Sequence, residues 1–578
     1  MSETRWNFDT QSLLGAKTFF PIFKKQAYRF PGQCRIRFTI PEKWHFPTIA
    51  LFAFCIFITH TPLSTCHSEE SDPYRPDVVR RILDDQQRKI THYFWEGAHS
   101  ESGLAWNQDT STQVLTVGAS GFGIMAIVAG VERGWIPRED AAKHIVKMTR
   151  FLRSVPRFEG AWAHWYSPEG DCVRFGNQIA AGEIVETAFL MAGLLVAAEY
   201  FDGENSLEKE LRETVSFFWE TIHWQHYVHQ GKLYWIWHSD RDQYELPLVG
   251  WNETLLVYIL AMAAPEPHNI SPEVYRTCWI WDSFAHPQRK TYGYTLPLGN
   301  LSHGGPLFLS QYSFLCLDPR KMQDEYADYW QQNVAHTLIN RHYCLYEAPA
   351  EFRYSEQDWG LTACDGCGKS PGYRARDPIH DDGVIAPTAA ISAYPYTPFY
   401  STQVLLHLAK NYPEFNGQFG FGISYTPRDR AINPHYLAIE HAPMSVMIEN
   451  YRSGLIWKLF MKNPHVLRGL RLAGMRACPE YREGFYRACL ETQTGVYDMM
   501  RHPDREKYEI DFFTQTAGEG RLVLTNDQEE TVYHTTLFLT QGANLLSFDA
   551  ETLRRGAKYR LNVIDARQNT HSIHVQLR

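Results

Sequence analysis

Residues 182–200, GEIVETAFLMAGLLVAAEY, are the stretch that decides the fold. Apart from Glu183 and Glu186 near its start and Glu199 near its end, the segment is apolar in every direction around a helix axis. A helix without a polar face must be surrounded by protein on all sides. We therefore expect this segment to be an inner helix of an all-α domain.

The same apolar character recurs along the chain in alternation with a second kind of segment. The other apolar segments are residues 118–131, 250–264, 304–317, 383–393 and 443–460. The second kind is amphipathic, with the spacing of a helix packed on one side, and covers residues 76–96, 138–155, 206–222, 271–281, 319–340 and 400–411. Each apolar segment would pair with a neighbouring amphipathic segment, which gives six helical hairpins. The pattern predicts an (α/α)6 toroid in which the inner helices converge on a central cavity.

The N-terminal region, residues 1–72, differs from the helical part. Basic residues precede an uncharged stretch at 49–58, which is too short for a membrane span of about 20 residues and fits the apolar core of an export signal. We interpret this region as an export signal and linker. Either Cys66 is the lipidated residue of a lipoprotein signal, or cleavage occurs nearby without a lipid. Both alternatives predict a secreted, periplasmic or outer-membrane protein.

The C-terminal region has the alternating pattern of short strands. Residues 73–466 are predicted to be the helical domain, 467–505 a connecting segment, and 506–578 a small antiparallel β-sandwich. The strand pattern of the last region resembles the sorting domains of the type IX secretion system in Bacteroidota. The alternative is an accessory or carbohydrate-binding sandwich.

Composition disfavours a nucleic-acid partner and favours a sugar ligand. The chain has 578 residues and a net charge of −9, which disfavours nucleic acid. Its 17 Trp, 32 Tyr and 33 Phe suit a groove that binds an uncharged sugar. Cys364 and Cys367 form a CxxC without a second pair of ligands, so we interpret them as loop thiols. No metal and no cofactor is expected, and we expect a monomer.

Four carboxylates stand at the predicted entrances to the inner helices. Glu183 and Glu186 share one face, Glu253 follows Gly-Trp-Asn, and Glu440 precedes the last inner helix. A buried carboxylate is costly unless it is paired or functional. Taken singly, each carboxylate could instead have a structural role, by compensating the partial positive charge at a helix N-terminus or by pairing with a buried arginine. Together, in an aromatic groove, they predict the cleavage of a glycosidic bond by one protonated acid and one ionised base.

Several motifs resemble the bacterial glycoamylase-like family, whose characterised branch is the endo-β-1,2-glucanases of glycoside hydrolase family 144. The resemblance covers residues 76–466 and rests on HYFWEGAHSESGLA, GASGFGIMAIVAGVERGWI, GEIVETAFLMAGLL, GWNETLLVYILA, GGPLFLSQYSFLCLDPR, DWGLTACDG, DDGVIAPTAA and MIENYRSGLIWKLF. It implies an (α/α)6 toroid and an inverting mechanism without metal. Glu253 would be the general acid and Glu440 the general base, while Glu183 and Glu186 would bind substrate hydroxyls. The further residues implied near the substrate are His164, Trp165, Trp251, Trp359, Asp365, Tyr373, Asp382, Tyr451 and Arg452.

Two departures from the family pattern keep alternatives open. The family has Ile-Asp-Gln-Gly-Pro at residues 439–443, where this chain has Glu440, a base one methylene longer. The family also has an acid before GEIVETAF that residues 179–182 lack. Exo-action, another linkage, transglycosylation or a non-catalytic surface glycan-binding protein therefore remain alternatives. A β-1,2-glucan hydrolase is favoured, because a pure binder has no need to bury Glu183, Glu186 and Glu253.

Overall fold

The computed structural model describes residues 76–174, 181–279, 289–299, 303–475, 495–501, 507–514, 518–539, 542–549, 553 and 557–576. The predicted export signal, with Cys66, lies outside these residues, as do Ile179 and Ala180. No helix in the described ranges has both the length and the apolar character of a membrane span.

Helices dominate the described chain up to residue 475. The α-helices are α1 (Pro76–Trp95), α2 (Gly118–Glu132), α3 (Arg138–Ser154), α4 (Ile184–Tyr200), α5 (Ser206–Glu220), α6 (Leu255–Ala263), α7 (Pro272–Cys278), α8 (Tyr329–Tyr346), α9 (Pro387–Ile391), α10 (Pro398–Asn411), α11 (Ala438–Arg452), α12 (Leu455–Lys462) and α13 (Pro464–Leu472). Short 3-10 turns occupy Trp224–Tyr227, Leu307–Ser310, Ser313–Leu315, Pro319–Lys321, Ala350–Phe352 and Pro413–Phe415.

Short antiparallel strands connect these helices. They are β1 (Trp106–Gln108), β2 (Ser111–Thr116), β3 (Arg157–Phe158), β4 (Ala161–Trp162), β5 (Trp165–Tyr166), β6 (Cys172–Val173), β7 (Ala181–Glu183), β8 (Val228–His229), β9 (Lys232–His238), β10 (Gln243–Pro247), β11 (Lys290–Thr291), β12 (Tyr294–Thr295), β13 (Ala363–Asp365), β14 (Tyr373–Ala375), β15 (Asn416–Gly417), β16 (Gly420–Phe421), β17 (Ser424–Thr426) and β18 (Ala431–Asn433). Two four-stranded sheets form among them, one from β1, β2, β5 and β6 and one in which β9 pairs with β7, β8 and β10.

Helices α2 and α4 form the centre of the helical core, and almost every residue of both is buried. They cross in backbone contact. A Cβ added to Gly193 would lie 2.1 Å from the carbonyl oxygen of Gly121, and one added to Gly121 would lie 2.2 Å from that of Phe189. Only glycine therefore permits this crossing. The amphipathic helix α1 and the largely buried helix α11 pack against α2, and the amphipathic helix α5 packs against α4.

The predicted helix at 304–317 is wrong, because this apolar run forms two 3-10 turns instead. Gly304 and Gly305 have φ of +87° and +88°, outside the helical region. The hydroxyl of Ser313 donates a hydrogen bond to the backbone carbonyl of Glu253. The same hydroxyl accepts from the backbone N–H of Leu256, so Ser313 ties this run to the start of α6. The run is buried as predicted, but its backbone conformation differs.

Other helix boundaries also differ from the sequence prediction. The predicted inner helix at 443–460 is two helices, α11 and α12, separated at Gly454, whose φ is +66°. The predicted helix at 319–340 has its α-helical part only from Tyr329 onward. Helix α13 crosses the predicted domain boundary at 466 and packs on α6, where a Cβ on Gly469 would lie 2.2 Å from the carbonyl oxygen of Ile259.

A buried ion pair joins α11 to the end of α2. Glu449 is fully buried and accepts hydrogen bonds from Arg133 at 2.7 and 2.9 Å. Gln87 of α1 donates to the same carboxylate at 3.0 Å, and Ser453 donates at 2.6 Å. The odd charge in the apolar frame of α11 thus has a structural role, since it joins three helices.

Replacing Glu449 by Gln is expected to lower the free energy of unfolding by about 3 kcal/mol, because Arg133 would lose its counterion. Urea denaturation followed by helical circular dichroism measures the loss. Glu210→Gln is the matched control, since Glu210 forms a similar two-bond pair with Arg150 whose side chains are 40% and 67% exposed. Exposed pairs contribute under about 1 kcal/mol. Equal losses in the two variants would contradict the prediction.

The C-terminal region is built from strands in two antiparallel sheets. They are β19 (Gly495–Arg501), β20 (Lys507–Thr514), β21 (Gly518–Asn526), β22 (Thr531–Leu539), β23 (Gly542–Asp549), β24 (Lys558–Ile564) and β25 (Thr570–Gln576). The strand orders are β19-β20-β23 and β22-β21-β24-β25. Residues of both sheets, such as Phe512 and Leu561, form one apolar cluster. The sequence predicted six of these strands, whereas β19 lies in the predicted connecting segment.

Candidate active site

A histidine between two carboxylates forms the first part of the site. Glu183 ends β7 and Glu186 lies in the first turn of α4, while His164 lies in the turn between β4 and β5. The Nδ1 of His164 lies 2.6 Å from Oε2 of Glu183 and 3.9 Å from Oε1 of Glu186. Burial lowers the pKa of His164, but the charges of Glu183 and Glu186 outweigh it and raise the pKa to about 9. The imidazole is therefore a cation at neutral pH.

The backbone fixes Glu186 from the opposite side. The N–H of Gly118, the first residue of α2, donates to its Oε2 at 2.9 Å. A Cβ on Gly118 would lie 2.3 Å from the same oxygen, so this contact requires glycine. Burial raises the pKa of Glu186; the charge of Glu183 adds to this effect, and His164 opposes it.

One carboxylate oxygen of Glu183 is available to accept a hydrogen bond from a ligand. Its Oε2 also accepts from Nε1 of Trp235 at 3.1 Å, whereas its buried Oε1 has no hydrogen-bond partner among the described residues. That oxygen suits a ligand hydroxyl.

These three side chains are also the group that could hold a metal within the described ranges. Their ligand atoms lie within 4.8 Å of one another. His164 would have to lose its proton to bind a metal ion, and the two carboxylates that raise its pKa would also attract the cation. The absence of a metal here, and the binding of substrate hydroxyls by Glu183 and Glu186, stay predictions.

Glu253 lies in the turn just before α6 and is half-buried. Burial raises its pKa to about 7; its own backbone N–H opposes this effect, and the charge of Glu186 adds to it. A large fraction of this carboxyl is therefore protonated at neutral pH. A protonated carboxyl close to neutrality is what a general acid requires.

Glu440 occupies the first turn of α11 and is 1% exposed. The hydroxyl of Tyr312 donates to its Oε1 at 3.0 Å, while its buried Oε2 lacks a partner among the described residues. Burial raises the pKa of Glu440 to about 8; the hydrogen bond from Tyr312 opposes this effect, and the charge of Asp365 adds to it.

The charges of Glu253 and Glu440 both act on two tyrosines, Tyr312 and Tyr373. Burial raises the pKa of Tyr312 and of Tyr373 well above the usual range, and the charges of both Glu440 and Glu253 raise it further. Both phenols are thus within electrostatic reach of both carboxyls. The structure brings the two predicted catalytic glutamates to one region.

Asp365 and Tyr373 reach this region on the hairpin β13–β14, where they are directly opposite each other. The Oδ2 of Asp365 accepts from Gln108 at 2.6 Å. Asp382 supports the hairpin from behind, since it accepts from Arg376 at 2.6 Å, and Arg376 in turn donates to the carbonyl of Cys364 at 2.7 Å.

The remaining predicted residues are dispersed. Trp165 lies against His164, with ring centroids 4.8 Å apart. Trp251 and Trp359 are 4% and 0% exposed and belong to the core.

Tyr451 and Arg452 lie at the far end of α11 from Glu440, about 18 Å along the axis at about 1.5 Å per residue. Arg452 binds Asp84 at 2.7 Å, and Tyr451 packs on Tyr394. The structure does not bring these two residues to the carboxylates.

Three residues at the site were missed in the sequence. Tyr312 was assigned to an inner helix, although it is the one titratable side chain in the buried part of GGPLFLSQYSF. Trp235 belongs to an alternating aromatic run, KLYWIWH, which indicates a strand and was not considered. Gln108 has no distinguishing signal.

Comparisons with known proteins identify the family of this chain. The Glycoamylase family model, described as "Putative glucoamylase", matches residues 245–464. A solved "putative glucoamylase" from Bacteroides uniformis is 40% identical, with a TM-score of 0.67, and the match covers 69% of this chain and 98% of that one. The chain belongs to the glycoamylase-like family.

Two relatives in the glycoamylase-like family have names that state a substrate. The solved endo-β-1,2-glucanase from Chitinophaga pinensis is 38% identical, with a TM-score of 0.66, over 69% of this chain and 98% of that one. An exo β-1,2-glucooligosaccharide sophorohydrolase (non-reducing end) from Parabacteroides distasonis is 38% identical over 423 residues, or 68% of this chain. The chain spans 58% of the length of that sophorohydrolase.

Proposed function

We propose that the protein hydrolyses β-1,2-glucan outside the cytoplasm, by an inverting mechanism with Glu253 as general acid and Glu440 as general base. The observation that carries the proposal is that one short run positions both glutamates, since Tyr312 donates to the carboxyl of Glu440 and the adjacent Ser313 donates to the backbone carbonyl of Glu253. Burial raises the pKa of both carboxyls. The names of the two β-1,2-glucan relatives support the substrate.

Two further parts of the proposal concern architecture and export. The helices would close as an (α/α)6 toroid around this site, which the burial of α2 and α4 and their contact with α11 and α6 support. Export would depend on residues 1–72, whose basic and apolar pattern is typical of a signal.

In the proposed reaction, the protonated carboxyl of Glu253 donates its proton to the glycosidic oxygen as the C–O bond breaks. Glu440 accepts a proton from the attacking water, which bonds to the anomeric carbon from the opposite face and inverts its configuration. The His164 cation fixes Glu183, whose free Oε1 accepts from a sugar hydroxyl and holds the ring in place.

The pH dependence of kcat/KM is expected to be bell-shaped with its maximum between pH 7 and 8. Activity falls above this range because Glu253, whose pKa is about 7, loses the proton it must donate. Activity falls below it because Glu440, whose pKa is about 8, is protonated and cannot accept a proton. Tyr312→Phe removes a donor that stabilises the carboxylate, so the acidic limb should move to higher pH.

Initial rates on β-1,2-glucan across pH 5 to 10 test this. Tyr396→Phe is the matched control, since this buried hydroxyl donates to the carbonyl of Ser310 and not to a carboxylate. An acidic limb that stays in place in Tyr312→Phe, or moves equally in both variants, would show that Glu440 does not set it.

Product analysis tests the function itself. The complete chain is incubated with linear β-1,2-glucan, and separately with β-1,3- and β-1,4-glucans, and the products are separated by chromatography. Sophorose or short β-1,2-oligosaccharides released first as the α-anomer, detected by NMR, would support the proposal. No product from any glucan, with binding retained, would favour the glycan-binding alternative, and products from another glucan would change the linkage.

A further inference from the structure

A group of aromatic rings that the proposed reaction does not use lies on the hairpin β9–β10 and on the 3-10 turn and strand β8 that precede it. This hairpin cluster consists of His226, His229, Tyr234, Trp237 and Tyr244. His229 is exposed and the other four are half-buried. The ring of His226 lies 4.3 Å from that of Trp237, and His229 stacks on Tyr244 at 4.7 Å. Partly exposed rings in one group form a surface for a ligand with apolar faces, such as a sugar.

The cluster is continuous with the active site through β9. Ile236 and His238 are buried on one face of this strand, while Trp235 and Trp237 alternate with them and are half-buried. Trp235 donates to Glu183, which places its ring at the carboxylate cluster. Trp237 is the next residue on the same face, about 7 Å farther along the strand at about 3.3 Å per residue.

The hairpin holds Trp237 in a fixed position. Its Nε1 donates to Oδ1 of Asp242 at 2.9 Å across the exposed turn, and Asp242 has a φ of +49°. Directly opposite Trp237 on β10 lies Tyr244. A ring held in place before the ligand arrives loses little conformational entropy on binding.

The chemistry of the cluster suits an uncharged polymer. Burial lowers the pKa of His226, which favours the neutral form of this ring. Its buried Nε2 has no hydrogen-bond partner among the described residues and is free to bond a hydroxyl. The rings thus offer apolar faces and one free polar atom, which suit the faces and hydroxyls of a sugar chain.

We infer that the hairpin cluster is a distal subsite that binds the part of a β-glucan chain extending away from the bond to be cleaved. The inference rests on the proposed function and adds chain-length recognition to it. A long glucan reaches both the carboxylates and Trp237, whereas a single glucose residue held at the carboxylates does not extend to Trp237.

The test compares binding of long linear β-1,2-glucan with binding of glucose to the complete chain. Affinity electrophoresis measures the polymer and calorimetry the monosaccharide. Trp237→Ala is expected to weaken polymer binding by about tenfold, which corresponds to the loss of one aromatic contact, and to leave glucose binding unchanged. Trp237→Phe keeps a ring and should retain most of the affinity, and it also guards against misfolding of the alanine variant.

Tyr346→Ala is the matched control, because this residue is 69% exposed and lies at the end of α8. It should bind both ligands as the unaltered protein does. Unchanged polymer binding in Trp237→Ala would overturn the inference. So would an equal loss for both ligands, since Trp237 would then act through Glu183.

The two hypotheses can fail separately. Polymer binding that depends on Trp237 without hydrolysis of any glucan would retain the subsite and reject the proposed reaction. Hydrolysis of β-1,2-glucan with polymer binding unaffected in Trp237→Ala would retain the reaction and reject the subsite.

Discussion

Glu253→Gln is expected to lower kcat on β-1,2-glucan by about 10²–10⁴-fold, the usual contribution of a general acid, and to leave the dissociation constant nearly unchanged. The amide has the size of the carboxyl but cannot give a proton to the leaving oxygen. Glu253 is half-buried in a turn before α6, and the bond from Ser313 goes to its backbone carbonyl, which the variant keeps, so the variant should fold. Product chromatography gives kcat, and calorimetry gives the affinity.

A substrate with a good leaving group separates this role from a general loss of activity. In an aryl β-sophoroside made from an acidic phenol, the phenolate departs without protonation. Glu253→Gln should therefore cleave this substrate nearly as fast as the unaltered protein does. Unchanged hydrolysis of the glucan in this variant would reject Glu253 as the acid. An equal loss on both substrates would show that the residue positions the sugar instead.

Glu440→Gln is expected to lower kcat by a similar factor of about 10²–10⁴, because the attacking water would have no group to take its proton. Tyr312 can still donate a hydrogen bond to the amide oxygen, so the local packing around α11 should persist. Added azide attacks without deprotonation, and it should restore turnover and give a glycosyl azide of inverted configuration, which NMR identifies.

Glu440→Asp is the matched variant for this prediction, since it keeps the carboxylate and shortens it to the length typical of the family. It should retain far more activity than Glu440→Gln. Loss of activity in the aspartate variant alone, with the glutamine variant active, would show that position 440 is structural. A glutamine variant that azide does not restore would place the base elsewhere, with Asp365 as the nearest candidate because its charge acts on Glu440.

The sequence predicted those parts of the fold in which the apolar pattern is compatible with only one kind of element. Helices α2 and α4 match their predicted ranges within about two residues because segments without a polar face must be inner helices. The run at 304–317 is equally apolar, yet it forms two 3-10 turns. Hydropathy registers neither the positive φ of Gly304 nor the bond from Ser313 to the carbonyl of Glu253.

The candidate site was predictable to a similar degree. Carboxylates at helix entrances were found because their charge is conspicuous in apolar surroundings, whereas Tyr312 was missed because a phenol inside an apolar run resembles core. Arg452 was assigned to the site because it belongs to a matching motif. Periodicity gives the face of a helix but not which of its ends approaches a cavity, and the structure places Arg452 against Asp84.

The contact between α1 and α11 has a consequence for biosynthesis. Gln87 of α1 bonds Glu449, which is 362 residues later in the chain, and Thr91 bonds Ser445. At about 5–20 residues per second, a ribosome needs about 20 to 70 s to make the chain between them. During that time the face of α1 that carries Gln87 and Thr91 has no partner on α11, although α2 can already pack against the helix. Helix α1 therefore completes its packing only late in synthesis, and a holding chaperone would protect this face until then.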